Sequence, residues 1–139
     1  IGVGLDPTSL DRANELKRFA EKVEAGAEFA ITQPVFDPDA LLAMLDQVAC
    51  HGIPILAGIW PLASYRNALF LQNEVPGVEI PASILERMAS RESRDDQLKE
   101  GVAIARESVA RIADRVAGIQ VSAPFGKIEL ACAVIEYLS

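Results

Sequence analysis

The segment Glu28-Phe29-Ala30-Ile31-Thr32-Gln33-Pro34 decides the fold, because a short apolar run ends there in an amide and a proline. We predict a strand over residues 28–32, followed by a helix with Asp37 as its N-cap and Pro38 as its first residue. In a parallel α/β fold, side chains at the C-terminal end of a strand meet ligands. A buried amide at that position needs hydrogen-bond partners, so the residues alone leave Gln33 open between packing and ligand contact.

Four apolar runs alternate with segments of helical period along the chain. The predicted strands cover residues 1–5, 28–32, 53–59 and 118–122. The predicted helices cover residues 12–25, 39–50, 64–72, 81–90, 95–117 and 127–138, where apolar residues recur three and four positions apart. Residues 91–96 carry mixed charges and are predicted to form a solvated connector. This alternation predicts an α/β fold with parallel strands that are buried on both faces.

Two architectures fit four right-handed strand–helix units: an open doubly wound sheet, or part of a (β/α)8 barrel. A complete barrel takes about 250 residues, so a chain of 139 residues would supply half of one. The dinucleotide-binding fingerprint GxGxxG follows none of the strands, which weakens the doubly wound alternative. The first residue, Ile1, already lies in an apolar run, and we therefore expect the chain to be cut from a larger fold.

Composition limits the functional classes. The net charge of −7, from 13 basic and 20 acidic residues, argues against a nucleic-acid or an anionic-membrane surface. No apolar stretch approaches the roughly 20 residues that span a bilayer, and no signal peptide is recognisable. Cys50 and Cys132 form neither a disulfide framework nor a zinc motif. We therefore expect a cytoplasmic protein with free thiols that binds no metal, nucleic acid or membrane.

Polar and aromatic side chains follow each predicted strand, at what would be one rim of a barrel. They include Phe36, Trp60, Tyr65 and Phe125, which are four of the eight aromatic residues. Such a rim suits a flat, partly polar ligand that stacks on rings and is oriented by an amide. The sequence contains no Ser/His/Asp array, metal cluster or phosphate loop, and Lys22 would by default be solvated. From the residues alone, a mechanism cannot be named.

Three motifs resemble a known family. The segments Lys22-Val23-Glu24-Ala25-Gly26-Ala27, Ile31-Thr32-Gln33-Pro34-Val35-Phe36-Asp37 and Gly58-Ile59-Trp60-Pro61-Leu62 occur in the family's order and at its separations. Together they resemble the C-terminal half of the 5,10-methylenetetrahydrofolate reductases. Residues 73–77 and 124–127 are similar to the bacterial branch in which the reductase follows a homocysteine S-methyltransferase domain. The resemblance covers essentially the whole chain.

The resemblance implies a fold and an activity. The fold is the C-terminal half of a (β/α)8 TIM barrel, with strands five to eight in one domain over residues 1–139. The activity is the reduction of 5,10-methylenetetrahydrofolate to 5-methyltetrahydrofolate, in which NAD(P)H reduces FAD and FAD reduces the folate by ping-pong turnover. The implied partners are the folate substrate, further copies of the protein in a homo-oligomer, and the upstream methyltransferase domain.

The resemblance also implies residues on the substrate side of the site. Gln33 matches the glutamine that hydrogen-bonds the pterin ring of the folate. Leu71 (or Phe70, if the alignment slips by one) stands where an aromatic ring lies between folate and nicotinamide. Lys127 matches a basic residue on the folate side.

On the cofactor side, the resemblance implies three residues. Lys22 matches a lysine that contacts the FAD phosphates. This implied contact replaces the default interpretation of Lys22 as a solvated surface lysine. Glu15 falls at an acidic position near the ribose or adenosine end of FAD, and Gly4 falls where the backbone passes the flavin. No catalytic residue is implied within this chain, because the family's general acid, a glutamate, lies on a strand before Ile1.

The chain is therefore predicted to be inactive alone and not to hold FAD tightly, since four strands leave two open edges. Two other functions stay open at this point. One is a non-catalytic half-barrel or flavodoxin-like binding module, and the other is a different pterin-binding barrel.

Overall fold

The computed structural model describes residues 1–138, and the predicted domain 1–139 extends one residue beyond them. Its strands, β1 (Gly2–Leu5), β2 (Phe29–Thr32), β3 (Ile55–Ile59) and β4 (Gly118–Val121), form one sheet in the order β1-β2-β3-β4. Every neighbouring pair is parallel. The sheet confirms the predicted α/β class with four strand–helix units.

Helices connect the strands and follow the last one. They are α1 (Arg12–Glu24), α2 (Pro38–Val48), α3 (Tyr65–Glu74), α4 (Ala82–Ala89), α5 (Arg94–Ile112) and α6 (Ile128–Glu136). Asp37 caps α2 by accepting a hydrogen bond from the Ala40 N–H at 3.1 Å, and Pro38 is the first helical residue, as predicted. Among residues 1–138, no helix combines the length and the apolar character needed to cross a membrane.

Most element boundaries differ from the prediction by a few residues, and three of these differences have a local reason. Helix α2 ends early in a 3-10 turn, after which Gly52 adopts a left-handed conformation with φ 68°. Strand β3 begins at Ile55, since Pro54 has no N–H to give to the ladder. Helix α5 ends at Ile112, because the Ala117 N–H already donates to the Ile55 carbonyl at 2.9 Å and requires extended backbone.

The charged segment 91–96 is exposed throughout, as predicted for a solvated connector. Helix α5 begins within it, and Arg91 Nε donates to Glu100 Oε2 at 3.1 Å. Arg87 Nε donates to Glu100 Oε1 at 2.7 Å and also pairs with Glu107. The hydrogen bond from Arg87 holds the pKa of Glu107 below its usual value. Two arginines thus compensate the buried carboxylate of Glu100 and fix α4 against α5.

The main core lies between one face of the sheet and the helices. The most deeply buried side chains on that face are Leu5, Ala30, Ala57 and Ile59. Because side chains alternate along a strand, the opposite face carries Gly4, Ile31, Leu56 and Gln120. Unbroken strand order with right-handed crossovers places the helices on one side of the sheet.

A second core cluster lies under the loops at the C-terminal ends of the strands. Its members are Phe36, Leu62, Ala68, Leu71, Val78, Ile80, Ile84, Met88 and Ile104. Helix α5 approaches this cluster so closely that a Cβ built at Gly101 would lie 1.8 Å from the Leu62 carbonyl oxygen. Glycine in the middle of this helix therefore sets how near α5 comes to the loop after β3.

Candidate functional site

The C-terminal ends of β3 and β4 enclose a cavity of about 390 Å³, which we call the rim cavity. Its lining residues are Trp60, Pro61, Asn67, Phe70, Leu71, Ser122, Ala123, Pro124 and Phe125. Two of the four aromatic side chains predicted for the rim, Trp60 and Phe125, lie on this cavity. The other two do not, because Phe36 is buried in the second core cluster and Tyr65 packs against it.

Phe125 combines exposure with an unusual backbone. Its φ is 53°, in the left-handed region that non-glycine residues rarely adopt, and its side chain is 78% exposed. An exposed aromatic ring in a strained conformation gains nothing from packing, and strain of this kind concentrates at binding sites. The Phe125 ring is therefore the part of the rim cavity best explained by a ligand.

Asn67 is a polar lining residue that the sequence reasoning did not single out. Its Oδ1 accepts a hydrogen bond from the Ala63 N–H at 3.1 Å, and its own N–H donates to Ser64 Oγ at 2.9 Å. The bond from Ala63 fixes the orientation of the side-chain amide, so that the Nδ2 group remains available as a donor. The bond to Ser64 comes from the backbone N–H of Asn67 and caps α3. The available signal was the spacing Ser64-x-x-Asn67, but this reads as an ordinary helix cap.

Leu71 and Phe70, the two candidates for the stacking position, both line the rim cavity. Leu71 belongs to the second core cluster and is buried. Phe70 is 57% exposed. Since stacking needs an accessible ring, the geometry favours Phe70 for that contact and leaves Leu71 as the apolar floor.

Gln33 is exposed, which corrects the expectation that its amide is buried and needs protein partners. The buried residue at this strand end is its neighbour Thr32. A Cβ built at Gly77 would lie 3.7 Å from Gln33 Cδ and 3.5 Å from Asp6 Oδ2. The turn at Gly77 therefore brings the Gln33 amide next to the end of β1, on the rim but outside the lining of the rim cavity.

Gly4 and Lys22, two of the three predicted cofactor residues, contact each other. Lys22 Nζ donates to the Gly4 carbonyl oxygen at 2.8 Å. The carbonyl groups of the odd-numbered residues of β1 point toward β2. The Glu28 N–H donates to the Ile1 carbonyl, and the Gln33 N–H donates to the Leu5 carbonyl. The Gly4 carbonyl consequently points to the outer edge of the sheet, and Lys22 covers that edge.

Glu15, the third predicted cofactor residue, is buried and closes the loop after β1. Its Oε1 accepts a hydrogen bond from the Asp6 N–H at 2.9 Å. Asp6 Oδ1 in turn accepts from the N–H and the hydroxyl of Thr8 at 3.0 and 3.2 Å. Both carboxylates therefore serve as acceptors that shape this loop.

Lys127 follows the 3-10 turn Pro124–Gly126 and precedes α6. Its N–H donates to the Pro124 carbonyl at 3.0 Å, which closes the turn that carries Phe125. Lys127 does not line the rim cavity itself. The six predicted site residues thus fall into two groups: Gly4, Glu15 and Lys22 near β1, and Leu71 and Lys127 near β3 and β4, with Gln33 between them.

The described residues contain no group of three or more His, Cys, Asp or Glu side chains that could hold a metal ion. A larger groove of about 550 Å³ lies between α5 and α6, away from the strand ends. Its walls are mostly aliphatic, and its charged residues include Arg106 and Glu107. The rim cavity is the better candidate site, because it combines exposed rings with an oriented amide at the ligand-binding end of parallel strands.

Comparison with known proteins places this chain in a family. The family model described as methylenetetrahydrofolate reductase matches residues 4–122. The chain is 32% identical over 117 residues to methylenetetrahydrofolate reductase 2 of Schizosaccharomyces pombe, covering 79% of this chain and 18% of that protein. It is 28% identical over 102 residues to methylenetetrahydrofolate reductase (NADH) 1 of Arabidopsis thaliana, covering 71% and 17%.

The chain therefore belongs to the methylenetetrahydrofolate reductase family, as the motifs predicted. It spans less than a fifth of the length of these relatives. One similar solved structure is an uncharacterized protein from Clostridium thermocellum that binds two copies of 5-methyl-5,6,7,8-tetrahydrofolic acid. That structure has a TM-score of 0.63 and 20% identity, and the match covers 99% of this chain and 54% of the other. This likeness supports the fold, a sheet of four parallel strands consistent with part of a TIM barrel.

Proposed function

We propose that this chain is the C-terminal half of a flavin-dependent (β/α)8 barrel that reduces 5,10-methylenetetrahydrofolate to 5-methyltetrahydrofolate with NAD(P)H. The observation that carries the proposal is the family match across residues 4–122, which reaches from β1 to the end of β4. The same ends of these strands form the rim cavity. A family assignment and an aromatic cavity at the ligand-binding end of the strands support the same function.

The residues near β1 fit a flavin dinucleotide. A Cβ built at Gly4 would meet no atom within 4 Å, so a flat ring can approach the strand there. Lys22 brings a positive charge to the same end of the sheet. In a closed barrel the edge of β1 pairs with the preceding strand, so the donors of the Lys22 ammonium would be available for phosphate oxygens. FAD bound there would accept a hydride from NAD(P)H and pass it to the folate. Glu15 would act indirectly, by holding the Asp6 loop against the cofactor.

The rim residues provide the folate contacts in this proposal. Gln33 offers both a donor and an acceptor to the edge of a pterin, and Asn67 Nδ2 offers a donor with fixed direction. Phe70 and Phe125 are exposed rings on which a flat ligand can stack. Lys127, two residues after Phe125, adds positive charge to the turn that carries this ring, and in this proposal it attracts an anionic tail of the substrate.

The proton required by the reduction has no evident source among these residues. Asp6 and Glu15 are acceptors of hydrogen bonds from backbone amides, and neither lines the rim cavity. We therefore place the general acid on the strands that precede Ile1 in the full-length protein, and propose that the 139-residue chain alone neither turns over nor holds FAD tightly. The cytoplasmic location, the homo-oligomer and the upstream methyltransferase domain stay predictions.

The proposal is tested by separating the two half-reactions in the full-length protein. Gln33→Ala should slow reoxidation of reduced flavin by 5,10-methylenetetrahydrofolate by roughly tenfold, since about 1.4 kcal/mol of lost hydrogen bonding is a tenfold change in rate. Flavin reduction by NAD(P)H, with a simple electron acceptor, should change much less. Gln47→Ala, at an exposed glutamine on the outer helix α2, is the matched control and should affect neither step. Equal losses in both half-reactions would remove the pterin assignment of Gln33.

A further inference from the structure

The ladder between β2 and β3 stops earlier than the ladders on either side of it. Strands β1 and β2 pair as far as Leu5 with Thr32, and strands β3 and β4 pair as far as Ile59 with Val121. The register between β2 and β3 contains only Ala30 with Ile55 and Ile31 with Leu56. The sheet is therefore irregular at one place, immediately before Gln33.

A side chain takes over the hydrogen bonding where this ladder stops. The Gly58 N–H donates to Thr32 Oγ1 at 2.9 Å, and the Gly58 carbonyl accepts from the Val35 N–H at 2.9 Å. Gly58 is therefore hydrogen-bonded to Thr32 and to Val35, the residues immediately before and after Gln33-Pro34. The hydroxyl thus takes the place of the Thr32 carbonyl as the acceptor for the Gly58 N–H. Since Pro34 has no N–H, the Gly58 carbonyl accepts from Val35 instead.

The backbones are in close approach at this point. A Cβ built at Gly58 would lie 2.6 Å from the Thr32 carbonyl oxygen, so glycine is required. On the other side, the Gln33 N–H donates to the Leu5 carbonyl at 2.9 Å. The peptide between residues 32 and 33 is therefore held from β1 by a backbone bond and from β3 by the Thr32 hydroxyl. The exposed Gln33 side chain leaves the sheet directly from this held peptide.

We infer that Thr32 is a positioning residue for the substrate: its hydroxyl, bound to the Gly58 N–H, sets the direction in which the Gln33 amide is presented on the rim. This inference rests on the proposed function, because it assumes that Gln33 contacts the folate. Thr32 is 6% exposed and lies beneath the rim surface, so its effect on a ligand must pass through Gln33. Without the hydroxyl, the Gly58 N–H loses its acceptor, and the strand end can relax toward a regular ladder that turns the Gln33 peptide.

Thr32→Val and Thr32→Ser in the full-length protein separate the hydroxyl from the shape of the side chain. Valine keeps the volume and removes the acceptor, and should raise the KM for 5,10-methylenetetrahydrofolate roughly five- to thirtyfold, the usual effect of leaving a buried donor unpaired. Serine restores the hydroxyl and should return the KM to within about threefold of the wild type. Flavin content and the rate of flavin reduction by NAD(P)H should stay within about twofold in both variants, since neither depends on the direction of Gln33.

A double-mutant cycle with Gln33→Ala gives the decisive comparison, because residues that act as a unit are not additive. In the Gln33→Ala background, Thr32→Val should raise the KM less than about twofold further. Additive effects, a wild-type KM for Thr32→Val, or equal losses in both half-reactions would overturn the inference. If Thr32→Val does not fold, Thr32→Ala, which likewise removes the acceptor, replaces it, and a flavin-loaded Ala variant with the wild-type KM would overturn the inference equally. A wild-type protein that shows no folate-dependent flavin oxidation refutes the proposed function itself and is seen before any variant is compared.

Discussion

The close approach of Gly101 to the backbone of Leu62 predicts that Gly101→Ala destabilises the protein. Replacing a helical glycine by alanine normally stabilises a protein by about 1 kcal/mol, because alanine loses less conformational entropy. At Gly101 the new Cβ would lie 1.8 Å from the Leu62 carbonyl oxygen and 2.7 Å from its carbon, whereas ordinary contacts begin at 3.4 Å. The backbone of one element must therefore move by about 1.6 Å.

Such a movement is costly because both sides are rigid. Leu62 is 1% exposed, and the obstruction is backbone rather than a flexible side chain. Overpacking of a core costs up to about 3 kcal/mol, so after the gain in helix propensity Gly101→Ala should destabilise the protein by about 2 kcal/mol. The displaced loop also carries Ala63, whose N–H orients Asn67 on the rim cavity. A weaker affinity for the folate substrate should therefore accompany the loss of stability.

Thermal unfolding of the full-length protein, followed by circular dichroism at fixed flavin concentration, measures this effect. A loss of about 2 kcal/mol in a domain of this size class corresponds to a Tm lowered by roughly 4–8 °C. Ala110→Gly, at an exposed position on the same helix α5, is the control and should cost only the propensity of about 1 kcal/mol. A raised Tm for Gly101→Ala would show that helix propensity prevails, and would refute the close approach of α5 to the loop after β3.

Three further predictions follow from single contacts. Lys22→Ala should increase the rate of FAD loss on dilution, with Lys17→Ala on the exposed side of α1 as the control; equal flavin retention in the two variants would remove the phosphate contact. Asn67→Leu keeps much of the volume but removes the directed donor, and should raise the KM for 5,10-methylenetetrahydrofolate about tenfold without changing the KM for NAD(P)H; equal changes in both constants would count against a folate contact. The Glu107 carboxylate, whose pKa is lowered by the hydrogen bond from Arg87, contributes stability that is complete above its ordinary pKa of 4.5 and is lost as the pH falls through the lower folded value. Glu107→Gln should therefore flatten the acid side of the Tm–pH curve below about pH 4.5, and an unchanged curve would contradict the contribution of this pair.

Local chemistry made much of the fold predictable. Asp37 and Pro38 begin α2 as predicted, because a capping carboxylate followed by proline fits few other backbone conformations. Each strand was recognised within two residues, since apolar runs of this length between helical segments have few alternatives. The burial of Glu100 was missed, because a charged sequence does not reveal which carboxylate two arginines will cover.

The candidate site was less predictable, since its geometry depends on contacts between distant segments. Gln33 was expected to be buried, but Thr32 is the buried residue and Gln33 points outward. The early end of the ladder between β2 and β3 depends on Gly58, which lies 26 positions away from Thr32 along the chain. Asn67 was not singled out, because it lines the rim cavity only once α3 lies beside the loop after β4. Residues whose function depends on such placement carry no signal in a single sequence.

In the proposed function, this chain forms half of a barrel that passes electrons from a flavin to a folate. The most direct test mixes the full-length protein, with its flavin reduced in the absence of oxygen, with 5,10-methylenetetrahydrofolate in a stopped-flow spectrometer. We expect the absorbance of oxidised flavin to return and 5-methyltetrahydrofolate to form in equal amount. A flavin that stays reduced, or a full-length protein that binds no flavin, would contradict it.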